Sequence, residues 1–341
     1  MLRRALLKTS LAAAGLGFAL LPQWAAAQTV LTTSSWVPPS HLLTRMLAAW
    51  GQEVEKVTNG RVKVQMLPKA PAAAPGTFDA VRDGLVDIGY VTASYTPARH
   101  TLPKLAELPG GGSDAVINSV AYNRIYQKHF APAGEHRGVK VLGVFTHGPG
   151  VIFNSKKPVN SSADAASLKF RIGGGNINEL SKAMGWNTTL KAAPESFELL
   201  STGVMDGTFF PDESITSFKL SMIKHATTFP GGLYNTSFVF MMNQDKYNKL
   251  SAQDKAVIDK LSGEHAARLF GEGWDRMDAA SRDNQKAQGV QRIMADKAFV
   301  KAVMDKQDYL ETTWAARAQV KGLKNPRAVL DEFRAEIKKV K

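Results

Sequence analysis

The sequence predicts an α/β protein of two similarly built lobes, and three observations lead there. The first is an internal repeat. Residues 77–90 (TFDAVRDGLVDIGY) align with residues 196–209 (SFELLSTGVMDGTF) at a constant offset of 119 (197 less 78), pairing Phe78 with Phe197, Asp79 with Glu198, Val81 with Leu200, Gly84 with Gly203 and Asp87 with Asp206. Each copy reads as a short helix stopped by a C-cap glycine, then a strand entry beside an aspartate. One copy falls in each half of the chain, so the aspartates read as turn or cap residues rather than catalysts. The second observation is a β-α-β opening: a β-branched and polar run over residues 29–35, an apolar stripe at Leu42, Leu43, Met46, Leu47 and Trp50, and the alternating run RVKVQML over residues 61–67. The third is the segment SLKFRIGGG over residues 167–175, where Leu168, Phe170 and Ile172 alternate with Lys169 and Arg171 before three glycines end the strand. Arg171 therefore stands at the carboxyl end of a strand, the edge at which α/β sheets bind ligands. A guanidinium there offers a fork of donors that matches a carboxylate.

Bulk properties narrow the class. The chain has 341 residues, 44% hydrophobic and 21% charged, which is enough for two globular domains. With no cysteine, disulfides, thiolate catalysis and cysteine-based metal or haem sites are excluded. Arg3, Arg4 and Lys8 precede an apolar run over residues 11–21 and then Ala25-Ala26-Ala27, an export signal cleaved before Gln28. RRALLK is similar to a twin-arginine signal, but Leu2 replaces the usual Ser or Thr, so both the general secretory and the twin-arginine routes fit. The formal charge is +13, and losing the three basic residues of positions 1–27, which hold no acidic ones, leaves +10. The basic residues are scattered, with no arginine-rich arm, so the field suits the attraction of anionic solutes or an acidic membrane surface better than nucleic acid.

Further elements follow in order. Pro38-Pro39 turn the chain after Trp36, and Ser40 is expected to cap the first helix, which runs to about Thr58 before Asn59-Gly60. YVTASY over residues 90–95 leaves its strand toward a cleft. Residues 114–130 read as a helix with Val116, Ile117, Val120, Ile125 and Tyr126 inward, and residues 139–145 as an apolar strand. Thr146-His147-Gly148-Pro149-Gly150 then precedes the strand VIFN, the expected first crossing between lobes. Phe209 and Phe210 face opposite ways if their strand alternates. Ser251–Asp254 forms a capping box that opens one long helical stretch with Val257, Ile258, Leu261, Leu269 and Met277 inward. Residues 298–314 and 326–339 read as further helices, the latter with Pro326 in its first turn.

LKFR, followed by APESFELLSTGVMDG, resembles the DctP-type solute-binding proteins of TRAP (tripartite ATP-independent periplasmic) transporters, as does WVPPSH…VEKVTNGRVKVQMLP near the start. The likeness covers nearly the whole mature chain. It implies a two-lobed periplasmic-binding-protein fold with a hinge and a long bracing helix near the C-terminus. The expected bounds are a signal peptide over 1–27, lobe I over 28–147 plus about 237–275, lobe II over 148–236 plus about 276–325, and a C-terminal helix over 326–341. It further implies that Arg171 clamps a substrate carboxylate and that TRAP membrane subunits, small and large, are the partners. Trp36 stands at a strand end facing the expected cleft, though it reads equally as a core tryptophan. Residues before NSK-x-P often line the pocket in this family, and some sialic-acid binders carry a second arginine there; Gly150 and Val151 stand here instead. Where the family has a ligand-contacting asparagine, this chain has Phe210. The remaining pocket candidates are Phe209, Thr92, Tyr95, His147, Tyr234 and Asn235. Aromatic cues outnumber polar ones, so the expected ligand is a hydrophobic or aromatic monocarboxylate, such as an aryl 2-oxo or 2-hydroxy acid of the benzoylformate or mandelate kind, bound in the periplasm without a cofactor or metal.

An exported hydrolase is the main alternative. The seven histidines, His41, His100, His129, His136, His147, His225 and His265, occur singly, and neither H-E-x-x-H nor G-x-S-x-G is present. Asp212-Glu213 is an adjacent carboxylate pair whose members would point to opposite faces of a strand. Gly173–Gly175 resembles a phosphate loop only loosely, since no Lys-Ser/Thr follows. The chain thus reads as a receptor and not an enzyme. A binding protein for an ABC importer would share the architecture, but the order of motifs favours the TRAP type.

Overall fold

The computed structural model describes residues 28–112 and 114–340; the export signal expected over residues 1–27 lies outside them. Eleven strands among these residues build two sheets. The first runs β2 (Val62–Met66), β1 (Thr29–Thr33), β3 (Ile88–Thr92), β10 (Ser237–Asn243), β4 (Val139–Thr146). The second runs β11 (Gln291–Met294), β9 (His225–Thr228), β5 (Val151–Asn154), β8 (Gly207–Phe210), β6 (Lys169–Ile172), β7 (Asn187–Leu190). Apart from the added edge strand β11, the two have one topology. β1 lies parallel between β2 and β3, as β6 lies parallel between β7 and β8. β10 then pairs antiparallel with β3 and β4, as β5 does with β8 and β9. The two antiparallel strands are exchanged: β5 follows the first sheet's strands in sequence yet joins the second, and β10 returns from the second to the first.

The 119-residue repeat is the local basis of this symmetry. Thr77–Arg82 and Ser196–Ser201 are the matched helices, each entered through a short 3-10 turn, Ala74–Gly76 and Ala193–Glu195. Gly84 and Gly203 close them at φ +77° and +72°, which a side chain would strain. Asp87 Oδ2 accepts from Thr32 N at 2.8 Å in the strand beside it, and Asp206 Oδ2 accepts from Lys169 N at 2.9 Å. Both aspartates therefore tie a turn to a neighbouring strand, the role the repeat suggests.

Three segments join the lobes. The run between β4 and β5 lies beside the run between β9 and β10: His147 N donates to Thr236 O (3.2 Å), Gly150 N to Tyr234 O (2.8 Å) and Leu233 N to Gly150 O (3.1 Å). The third is the helix Glu264–Ala287, which packs on the helix Ala115–Ile125 and on β4 on one side and on the helix Asp212–Ser217 on the other. Its buried face is Ala266, Ala267, Phe270, Gly271, Gly273, Trp274, Asp278, Ser281 and Gln285. The C-terminal helix Pro326–Lys339 lies against Ala115–Ile125 and Gln307–Val320.

Several local expectations are corrected. The first helix starts at Leu42, and His41 rather than Ser40 caps it, with ring Nδ1 accepting from Leu43 N at 3.2 Å. The single helical stretch expected from Ser251 is two helices, Ala252–Lys260 and Glu264–Ala287; Gly263 breaks it at φ +62° and donates its N–H to Leu142 O. Residues 298–314 likewise split, into Lys297–Met304 and Gln307–Val320. Asp212 and Glu213 start a helix instead of lying on a strand, and their partners differ. Asp212 meets Arg282 and Arg292, while Glu213 Oε1 accepts from Leu42 N at 3.2 Å.

Candidate functional site

A cavity opens between the lobes at the carboxyl ends of β3 and β6. Trp36, Thr92, Tyr95 and Phe238 line it from the first lobe, and Arg171, Gly173, Phe210 and Phe218 from the second. His147, Tyr234 and Trp274 line it from the joining segments.

Arg171 is only 2% exposed. β6 is buried on both sides at this point, so the side chain that alternation turns away from Phe170 and Ile172 enters the cleft instead of solvent. Nε donates to Lys191 O at 2.9 Å, Nη2 reaches Tyr95 Oη at 3.4 Å, and Cζ lies 4.4 Å above the Phe210 ring. Among the described residues no carboxylate comes within 4.0 Å of this guanidinium. A buried cation without a counter-ion is costly unless something else supplies the negative charge. Tyr95 Oη also accepts from Ala193 N at 2.8 Å, so one hydroxyl spans the lobes and steadies the arginine.

Much of the remaining wall is aromatic. Trp36 packs against Tyr90 and Tyr95 with ring centroids 5.3 and 5.9 Å apart, and Phe210 stacks on Phe218 at 5.6 Å. His147 meets Tyr234 and Trp274 edge-on at 5.3 and 5.8 Å. Burial pushes the His147 imidazole down to about 4, so the ring is neutral at pH 7. Burial likewise raises the Tyr234 phenol.

Around the cavity the lobes are clasped by polar contacts. Ser94 Oγ donates to Gly173 O at 2.8 Å. Glu107, whose carboxyl is raised by burial, accepts from Asn176 N (3.0 Å) in the second lobe and from Ser237 Oγ (2.6 Å) in the first. Gly174 and Gly175, at φ +87° and +76°, allow this approach: a Cβ on Gly175 would sit 2.1 Å from Glu107 Oε2. The glycine run is a lobe contact, which accounts for the missing Lys-Ser/Thr of a phosphate loop. His41 Nε2 lies 3.4 Å from Glu213 Oε2, and both side chains are buried. Among the described residues no cluster of three His, Cys, Asp or Glu side chains is placed to hold a metal ion.

Arg171, Trp36, Phe210, Thr92, Tyr95, His147 and Tyr234 thus gather around one cavity. Three sequence candidates lie behind it. Phe209 faces the opposite side of β8 and packs with Phe170 and Trp186 at 4.9 and 5.8 Å, as strand alternation requires once Phe210 takes the cleft. Gly150 backs Tyr234, where any Cβ would fall 2.2 Å from the ring. Asn235 donates from Nδ2 to His147 O (2.8 Å) and Gly148 O (3.1 Å), bracing the histidine loop. Sequence reasoning missed Trp274, Phe218 and Phe238. The spacing of four in Ala266, Phe270, Trp274 and Asp278 carried a signal for the first, masked by the small and acidic residues among them.

Fold and site together define an extracytoplasmic solute receptor: the chain belongs to the bacterial extracellular solute-binding proteins of family 7 (DctP), whose family model matches residues 33–315. It is similar to a TRAP periplasmic solute-binding protein of Bordetella bronchiseptica solved with (R)- and (S)-mandelate, at 45% identity over 92% of this chain and 100% of that one, with a TM-score of 0.89. A marine metagenome TRAP solute-binding protein specific for aromatic acids, solved with 3-hydroxybenzoate, is 31% identical over 92% and 98% of the two chains, with a TM-score of 0.85. The outer membrane transporter protein TsaT of Comamonas testosteroni is 30% identical over 93% of this chain and 95% of its own.

Proposed function

We propose that this protein is the periplasmic receptor of a TRAP transporter, that it captures an aromatic monocarboxylate by lobe closure, and that it hands this solute to the transporter's membrane subunits. The observation that carries the ligand class is the pairing of a buried, uncompensated Arg171 with an aromatic cavity. The ligand carboxylate supplies the missing counter-ion, and its ring packs among Trp36, Phe210, Phe218 and Trp274. A second carboxylate would meet no second Lys or Arg among the residues that line these walls and would lose its hydration. The solutes of the mandelate- and 3-hydroxybenzoate-bound relatives support the same class.

Binding and closure are one event, because only the closed form lets both lobes touch the solute. Lobe I, over residues 28–147 and about 237–275, contributes Trp36, Thr92 and Tyr95; lobe II, over 148–236 and about 276–325, contributes Arg171 and Phe210. The chain acts as a receptor and performs no chemistry on its solute, a reading supported by its family and its solved relatives, which are solute-binding proteins. A thermal-shift screen of the mature protein against benzoate, mandelate, benzoylformate, succinate and glucuronate tests the reading. Stabilisation by the aryl acids is expected. Stabilisation by succinate or glucuronate alone would overturn it.

A further inference from the structure

Besides the Arg171 guanidinium, whose charge is uncompensated, polar atoms of Thr92, Trp274 and His147 in the cavity lining have no hydrogen-bond partner among the described residues. Thr92 Oγ1 and Trp274 Nε1 are buried without a hydrogen bond, on residues 3% and 2% exposed. The third is His147 Nε2, on a residue 4% exposed. Its sister nitrogen Nδ1 lies 2.5 Å from the carbonyl oxygen of Gly148. A carbonyl only accepts, so Nδ1 carries the hydrogen. The buried ring is neutral at pH 7. Nε2 is therefore a bare lone pair, and no donor of the described residues reaches it. Asn235 fixes this state from behind, because its Nδ2 also holds the Gly148 carbonyl at 3.1 Å.

These atoms ask for a particular group. A carboxylate satisfies a donor such as Trp274 Nε1–H but repels the lone pair of His147. An aryl C–H face satisfies neither. A hydroxyl gives its hydrogen to His147 Nε2 and accepts from Trp274 Nε1 or Thr92. The His147 and Trp274 rings meet edge-on, and both residues line the same cavity as Thr92. We propose that His147, Trp274 and Thr92 form a hydroxyl-reading subsite, separate from the Arg171 carboxylate site, which makes the receptor prefer a hydroxyl-bearing aryl monocarboxylate over the same acid without the hydroxyl. This inference rests on the aryl-acid reading above and names the finer discrimination within it. Leaving buried polar groups unpaired is what penalises the deoxy ligand.

The test is titration calorimetry of the mature protein with matched pairs: either enantiomer of mandelate against phenylacetate, and 3-hydroxybenzoate against benzoate. In at least one pair the hydroxyl-bearing acid should bind about 10-fold more tightly or better. Trp274→Phe, which keeps a ring but removes the N–H, and Thr92→Val, which keeps the shape, should each shrink that ratio several-fold. Pairs that bind within about twofold of each other would overturn the subsite while leaving the aryl-acid reading intact. So would a ratio unchanged in both variants. Binding of no aryl acid at all would instead bring down the broader reading, and the subsite with it.

Discussion

Replacing Arg171 with methionine separates what the arginine does for the fold from what it does for binding. Within its own lobe the side chain gives up one good hydrogen bond, to Lys191 O at 2.9 Å, and its stacking on Phe210. Against these losses stands relief from burying a charge that has no carboxylate partner, and methionine fills much of the same volume. The terms nearly cancel, so the unliganded stability should change by no more than about 1 kcal/mol, a shift of about 1–2 °C in Tm for a chain of this size. Binding has no such compensation. The solute's carboxylate would be stripped of water in an aromatic cavity with no cation to meet it. Truncating one member of a buried charge pair costs about 2–5 kcal/mol, which is a loss of roughly 30- to 5,000-fold in affinity. Arg171→Lys, keeping charge but not the planar fork, should fall between. Calorimetric titration with mandelate or benzoate, beside thermal melts of the free variants, reads both quantities. An Arg171→Met protein that melts normally and binds as wild type would refute the electrostatic account.

Further outcomes follow from single contacts. Gly150→Ala places a Cβ 2.2 Å from the Tyr234 ring and should cost about 1–3 kcal/mol in denaturant unfolding, with weaker aryl-acid binding as Tyr234 is displaced. Gly175→Ala adds a Cβ 2.1 Å from Glu107 Oε2 at φ +76°; it should prop the lobes apart and lower affinity about 10-fold or more in the same titration. Burial holds His136 at about 4, stacked on Tyr126 and 3.0 Å from His100 Nδ1, whereas an unfolded chain protonates histidine near 6.5. The unfolded state thus binds more protons below pH 6.5, and the stability this site contributes is present above that pH and lost as pH falls toward 4. Wild type should lose ~3 kcal/mol more than His136→Gln between pH 7 and pH 4, a comparison in which the opposite drift of Glu135, raised by burial to about 7, cancels. Equal slopes for the two proteins would remove the assignment.

The features legible in the sequence were those written as local patterns. A repeat of helix, glycine and aspartate at fixed offset encodes the shared β-α-β geometry, and Asp87 and Asp206 do the same job in each copy. Arg171 was visible because a short strand ended by three glycines leaves little doubt about which end of the sheet it occupies. What the residues did not show is what depends on distant chain segments meeting. Phe218, Phe238 and Trp274 line the cavity only because the exchanged strands and the joining helix bring residues far apart in sequence to one wall. Phe209 and Phe210 are neighbours of one type, and only the packing of Phe209 onto Trp186 decides which turns to the cleft. The helix break at Gly263 was hidden because Gly263 sits inside a polar stretch that fits a helix, and the reason for the break, the bond to Leu142 O, lies in another element.

The most direct measurement is a crystal structure of the mature protein grown with mandelate. The account predicts the carboxylate within hydrogen-bonding distance of the Arg171 guanidinium, the ring between Trp36 and Phe210, and residues of both lobes touching the solute. A carboxylate held elsewhere, with Arg171 turned to bulk water, would contradict it.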